Sequence, residues 1–444
     1  MSTQKTLARL PGFRDFPPED LALRARLFDA WRRVSRRYGF VEYDGPPLEP
    51  LELYTRKSGE EIVEQLYTFE DKGGRQVALR PEMTPSLARV LGERSRAMPK
   101  PIRWFSVPQL FRYERHQRGR LREHFQWNVD LVGEDGVEAD AEVLAVALDG
   151  LREVGLGSED IRARVSDRRL LAALLKSVGL PDERLEAAYA VIDKIEREPE
   201  ERILERLSDP EDVGLDDATA RRVLEIFDTP TLEGIEERFG QAEGVAERVE
   251  EMRRFLGSLH DLGFGDCVDF DLTIVRGLAY YTGIVFEVFD RQGEFRAICG
   301  GGRYDDLLDR IGGAGLSAVG FGMGDVVLGE LLRERGAVPE YRPEVDFFIV
   351  PIGVEQLPLA RRVARAQRNR GLSVVYPLRK QSVRKSFSAA ASEGAREVLV
   401  LGPDEVEQGV ALLRDMASGE ERNVELARLL EVPEPAGKAP VGEG

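Results

Sequence analysis

"RYERHQRGRLREHFQWNVD", Arg112 to Asp130, packs five arginines into its first eleven residues and closes on Gln126, Trp127, Asn128 and Asp130. Side chains alternate across a strand, so Arg112 and Glu114 share one face, while Gln126, Asn128 and Asp130 share a face of a returning strand. The stretch therefore predicts a strand, a basic loop over His116 to Arg120, and a strand that comes back beside the first. An arginine fork grips carboxylate or phosphate through paired hydrogen bonds, each worth ~1.5–3 kcal/mol when charge-assisted. Acidic and amide groups beside it hold a cationic amine. The combination suits a zwitterionic amino acid next to a phosphate; an exposed hairpin with ordinary salt bridges is the competing reading of the strip alone.

The surrounding chain makes that strip anomalous. Its 444 residues carry a formal net charge of −17, with 42% hydrophobic and 32% charged residues. That is a folded, multidomain composition, and a polyanion would have to be met by local positive patches. No apolar run approaches the ~18 residues of a membrane span, and the N-terminus lacks a signal-peptide core, so a cytoplasmic location is expected. Cys267 and Cys299 are too few for a disulfide framework. With His116, His124 and His260 they have no metal-site spacing, so no protein-held metal is expected.

Helical periodicity over about Asp20 to Tyr38 predicts an amphipathic helix ended by Gly39. "QLYTFED" and "GRQVALRPE" form a predicted hairpin turning at Lys72, Gly73 and Gly74. From about 165 to 259 long charged helical runs replace strand signals, which reads as an inserted helical module. Strands return with "CVDFDLTIV" and "YYTGIVFEVFD". A connector over 334–344 leads to a compact αβ alternation at 345–432, and 433–444 is expected to be a disordered tail.

Three further motifs carry candidate chemistry. "LRPEMTPSLARV" sets Arg80, Glu82 and Thr84 where a strand meets a helix start. "VRGLAYYTG" puts Arg276 beside the aromatic pair Tyr280 and Tyr281. "CGGGRYDD" places Gly300 to Gly302 where backbone can approach a ligand, although a glycine run is often only a turn. No P-loop lysine and no dinucleotide fingerprint accompanies them. Arg361 to Lys385 holds nine Lys or Arg and no Asp or Glu, the strongest nucleic-acid signal in the chain.

In this order the pieces resemble the class II aminoacyl-tRNA synthetases, specifically the histidyl-tRNA synthetase family. The likeness runs from "PGFRDFPPED" through "FRYERHQRGR", "VRGLAYYTG" and "GGGRYD" into the last domain. It implies an antiparallel six-stranded sheet flanked by helices within a catalytic core over 1–333, a helical insertion, and a C-terminal anticodon-binding domain. It also implies a homodimer, through the motif 1 region "GFVEYDGPPLEP", and a reaction that joins L-histidine to tRNA(His) by way of histidyl-adenylate. ATP would be the co-substrate, with Mg2+ brought on it. Arg112 and Arg276 would be catalytic. Glu82, Thr84, Gln126, Asp130, Tyr280 and Tyr281 would bind histidine with those arginines. Glu114, His124 and Phe125 would complete the ATP site. Arg115, Gln117 and Arg118 would meet the tRNA acceptor end, and Arg379, Lys380 and Arg384 the rest of the tRNA.

Three positions depart from the family pattern. Ala279 replaces an aspartate of the histidine motif. His124, followed by Phe125, stands where a phenylalanine stacks on adenine. In "GFGMGDVVLGELL" Val327 occupies the place of the motif 3 arginine that meets the ATP γ-phosphate; one preorganised donor of this kind is worth ~2.7–4 kcal/mol. The departures keep two alternatives open. One is a non-charging paralogue that regulates ATP phosphoribosyltransferase in histidine biosynthesis, and the other is an RNA-binding sensor without turnover. The regulatory paralogues lack the anticodon domain and lose catalytic arginines, whereas Arg112, Arg276 and a full C-terminal domain with its basic run Arg361 to Lys385 are kept here.

Overall fold

The computed structural model describes residues 7–55, 65–113, 119–275, 280–293, 295–310, 315–338, 341 and 343–431. Arg276, Ala279, Glu114, Arg115, Gln117, Arg118 and the tail lie outside the described residues. The chain forms two units, Met1–Pro339 and Glu340–Gly444.

The strands of the first unit, in chain order, are β1 (Val41–Glu42), β2 (Leu48–Pro50), β3 (Tyr67–Glu70), β4 (Gln76–Leu79), β5 (Ile102–Ser106), β6 (Gln109–Phe111), β7 (Glu123–Val132), β8 (Ile161–Asp167), β9 (Val268–Phe270), β10 (Ile284–Asp290), β11 (Cys299–Arg303) and β12 (Ala318–Gly324). Six of them, in the order β5-β7-β12-β11-β10-β8, pair antiparallel throughout. β1 and β9 are added in parallel at the two edges. β6, just ahead of Arg112, pairs with the start of β7, so the returning strand of the 112–130 strip is β7, while residues 114–118 of the expected first strand and loop lie outside the described residues. The expected hairpin over 67–79 is present as β3 and β4, and β2 joins it in a small separate sheet.

Register assigns every side chain of the large sheet to one of two faces. Phe105, Trp127, Val129, Phe321, Met323, Phe286, Val288, Ala163 and Val165 are buried against helices. The helix Val137–Glu153 is apolar almost all round and lies in that core. A methyl group on its Gly150 would come within 2.3 Å of the Trp127 ring, so only glycine lets helix and strand close. Trp127 in turn stacks on Trp31 of the helix Pro18–Arg37, with ring centres 6.0 Å apart, and donates from Nε1 to Ser35 Oγ at 2.9 Å.

One ion pair locks this layer. Arg303, at the end of β11, is 1% exposed, and Asp140, in the first turn of the core helix, is fully enclosed. The guanidinium donates to both Asp140 oxygens at 2.8–3.1 Å, to the carbonyls of Glu134 and Gly136, and to Ser317 Oγ. Val165 to Asp167 belong to β8, so the helical run begins at Arg168, where the Asp167 carboxylate accepts from the Arg169 amide at 2.7 Å. It ends with the helix Val245–Asp261.

The second unit holds β13 (Val345–Pro351), β14 (Val374–Val375), β15 (Ala395–Leu401), β16 (Val410–Asp415) and β17 (Glu421–Glu425), in the order β14-β13-β15-β16-β17. Helices Leu357–Asn369 and Val383–Ser392 connect the parallel part of this sheet.

Removing one partner of a buried ion pair strands the other charge, at ~3–5 kcal/mol. Arg303→Ala should therefore lower the unfolding free energy by about that amount, read as a lower urea midpoint with an unchanged slope.

Candidate functional site

The outward face of the large sheet is paved with glycine. Gly302 and Gly300 of β11 lie opposite Gly320 and Gly322 of β12, and Gly324 lies opposite Gln126 of β7. A Cβ at Gly320 would come within 2.3 Å of Asp130 Oδ1, and one at Gly322 within 2.7 Å of the Gln126 amide. The bare backbone thus lets Asp130 and Gln126 lie across the neighbouring strand. Beyond the glycines the same face continues through Val285, Glu287 and Phe289 of β10 to Ser166, Arg164 and Arg162 of β8.

The two ends of this floor differ chemically. At one end the buried Asp130 accepts a hydrogen bond from the Tyr304 hydroxyl. Burial, reinforced by the Asp130 charge, pushes the Tyr304 and Tyr43 phenols well above their ordinary range, so both stay protonated donors. Tyr280 lies tilted at 4.8 Å from Tyr281 and edge-on at 5.9 Å to Tyr304, and Tyr43 lies 5.1 Å from Trp104. Tyr281 and Tyr304 pack in one cluster with Leu87, Ala88 and Leu91, from the helix that starts at Thr84 just after the buried Glu82. The result is a cluster of aromatic rings around a carboxylate, a polarity suited to a small cationic or ring-bearing molecule.

At the other end a cleft of about 1310 Å³ opens, lined by Arg112, Arg120, His124, Gln126, Arg296, Gly300, Gly322, Gly324, Val326 and Val327 among others. Arg112 Nε donates to the Pro81 carbonyl at 3.1 Å, which ties the hairpin to the segment carrying Glu82. Arg80, by contrast, is a buried strut that donates to Asp44, Gly45 O and Gln109 O. Arg162 and Arg164, on the β8 side, are held by Asp269, Asp271 and Glu196.

His124 and Phe125 separate here. The period-two alternation that turns His124 into the cleft turns Phe125 to the opposite face, where it meets Phe28 at 5.2 Å and lies under the Arg24 guanidinium at 4.7 Å. Phe125 is thus removed from the expected ATP contacts, and its backbone N–H serves structure by donating to Asp325 Oδ1 at 2.8 Å. Asp325, pushed up by burial, and Glu123 are both bridged by Arg14, at 2.9 and 2.7 Å. Tyr304 was missed by the sequence reading, because the glycine run drew attention to backbone while the signal was the buried phenol beyond it. In the second unit Arg379, Lys380 and Arg384 are all exposed, in and just after the loop that leads to the helix capped by Ser382.

Two family models match: histidyl-tRNA synthetase over residues 12–324 and an anticodon-binding domain over 346–432. The histidine–tRNA ligase of Opitutus terrae is 44% identical over 94% of this chain and 96% of its own. The chloroplastic and mitochondrial histidine–tRNA ligase of Arabidopsis thaliana is 41% identical over 94% of this chain and 85% of its own. Among solved structures, histidyl-tRNA synthetase from Nostoc superposes with a TM-score of 0.79 at 24% identity, covering 96% of this chain and 98% of that one. A Bacillus halodurans protein described as an ATP phosphoribosyltransferase regulatory subunit/histidyl-tRNA synthetase gives 0.71 at 24%, covering 86% and 96%. At these identities the structural likenesses speak for the fold alone.

Burial first, then the Arg112 and Arg14 charges, push His124 down from 6.5 to about 3. The folded state therefore refuses a proton that the unfolded chain accepts. The associated stability is complete above about pH 6.5 and is lost as pH falls toward 3, at up to ~1.4 kcal/mol per pH unit. His124→Asn should flatten that loss, seen by comparing urea midpoints at pH 7 and pH 5.

Proposed function

The chain belongs to the histidyl-tRNA synthetase family, and we infer from that membership and from its two-ended glycine floor that it activates L-histidine with ATP and passes it to the 3′ end of tRNA(His). It is an aminoacyl-tRNA ligase that releases AMP and pyrophosphate. One observation carries the assignment to this face: a phenol-lined carboxylate at one end and arginines at the other, joined by bare backbone on which a flat ligand can lie.

In the first step a histidine carboxylate oxygen attacks the α-phosphorus of ATP, and the bond to the bridging oxygen breaks as pyrophosphate leaves. Arg112 faces the charge that builds on the transferring centre, with Arg276 as its proposed partner. Asp130, Glu82, Thr84 and Gln126 receive the amine and the polar edge of histidine. Tyr280 and Tyr281 wall the imidazole. His124, neutral at physiological pH, offers a flat ring to adenine in the place taken by phenylalanine elsewhere in the family, and Glu114 completes that subsite. In the second step the ribose hydroxyl at the tRNA terminus takes the acyl group, with Arg115, Gln117 and Arg118 proposed to meet the acceptor end.

Magnesium enters on ATP, where it keeps much of its water and neutralises phosphate charge. A homodimer is part of the proposal. β1 is an exposed edge strand with Val41 62% accessible, the kind of edge that a second copy covers. No described helix is long and apolar enough to cross a membrane, and a cytoplasmic location follows from the translational role. The C-terminal unit, matched by an anticodon-binding model and carrying the basic run Arg361 to Lys385, favours the ligase over the regulatory paralogue.

Purified protein should catalyse histidine-dependent ATP–pyrophosphate exchange and charge total tRNA with labelled histidine. Histidine binding with neither reaction would favour the regulatory alternative. Replacing Arg379, Lys380 and Arg384 by alanine should leave exchange intact, weaken tRNA binding, and flatten the log–log salt dependence by roughly 2 to 3. An unchanged salt slope would remove those residues from the tRNA interface.

A further inference from the structure

The helix that follows β12, Asp325–Glu334, meets the cleft with two valines: Val326 and Val327 both line it, and neither can hold a phosphate. A Cβ on Gly119 would sit 3.4 Å from Val327 Cγ2, so the valine lies against the backbone that leads into Arg120, which lines the same cleft. Arg112 lies on the β7 side of the same cleft. ATP brings about four negative charges, and the pyrophosphate half must gain charge as it leaves. Arginine cations aimed at that developing charge are what accelerate such a step.

The sheet itself brings a further arginine to the end where the valines stand. β11 and β12 run antiparallel with Cys299 opposite Met323. The residues just before β11 and those just after β12 therefore leave the sheet at the same end. The first group contains Arg296 and the second Val326 and Val327, and all three line the one cleft with Gly300 and Gly324 between them. Arg296 is exposed there, on a segment outside the regular strand, so its long side chain can follow a bound phosphate.

We propose that Arg296 supplies, from the strand β11 side, the cation for the β,γ-phosphates of ATP that the helix position of Val327 does not supply. The inference rests on the nucleotide-activating reading above and names a new catalytic residue within it. As the α-phosphorus to oxygen bond breaks, its electron pair stays on the pyrophosphate, and Arg296 faces that gain in charge. AMP, which has no β,γ-phosphates, makes no use of it.

The test compares Arg296→Ala with wild-type full-length protein in direct binding of ATP and of AMP, and in histidine-dependent exchange. ATP affinity should fall tenfold or more with AMP affinity unchanged, exchange should drop about a hundredfold, and Arg296→Lys should keep part of both. Adding Val327→Arg to Arg296→Ala should recover at least tenfold of the lost exchange, because it returns a cation from the helix side. Equal losses for ATP and AMP, or exchange within twofold of wild type, would overturn the proposal. Wild-type protein that shows no histidine-dependent exchange, yet loses ATP but not AMP binding on Arg296→Ala, would sink the histidine reading and leave Arg296 at the phosphates.

Discussion

Strand β7 has to serve two environments at once, and the period-two alternation of a strand is what allows it. Trp127 and Val129 are packed into the helical layer, while His124, Gln126, Asn128 and Asp130 point to the ligand face. Neither set could shift by one residue without putting carboxylate and amide into the apolar core. The neighbouring strands accept this by giving up side chains: glycines at 300, 302, 320, 322 and 324 clear the ligand face, while Phe321 and Met323 keep β12 anchored below. A sheet this poor in side chains on one side has little intrinsic strand preference. Its order is imposed from beneath, by the core helix and the Arg303–Asp140 pair.

The acidic character of the whole and the basic character of the cleft are compatible because the positive charges are concentrated and walled. Arg112, Arg120 and Arg296 converge on one volume, and elsewhere on this unit arginines form surface ion pairs, such as Arg37 with Asp149 and Glu153. A net charge of −17 then repels stray polyanions from most of the surface while the cleft keeps a locally positive lining.

The strand Glu123–Val132 could be read directly from the sequence because its alternation is local, yet the reading set Phe125 beside His124 at the nucleotide, where the same alternation puts the two on opposite faces. The six-stranded antiparallel core was a different matter, since it came from family resemblance. "CGGGR" and "AVGFGMG" are central strands whose glycines argue for turns on propensity alone, and only pairing partners far away in the chain make them strands. Arg303 and Tyr304 were hidden for a related reason: their roles depend on Asp140 and Asp130, more than a hundred residues away, and nothing in a short window announces such a pair.

Arg14 sits between Glu123 and Asp325, and also over the Phe16 ring at 4.9 Å. The first few residues of the described chain therefore act as the counterion for two carboxylates that belong to the strand under the ligand and to the helix beside it. A shortened protein starting at Pro18 would retain every strand of the large sheet and yet bring those two acids face to face. It would relieve their repulsion by taking up a proton, and would so become an acid-preferring protein from the loss of a segment that contributes no strand at all.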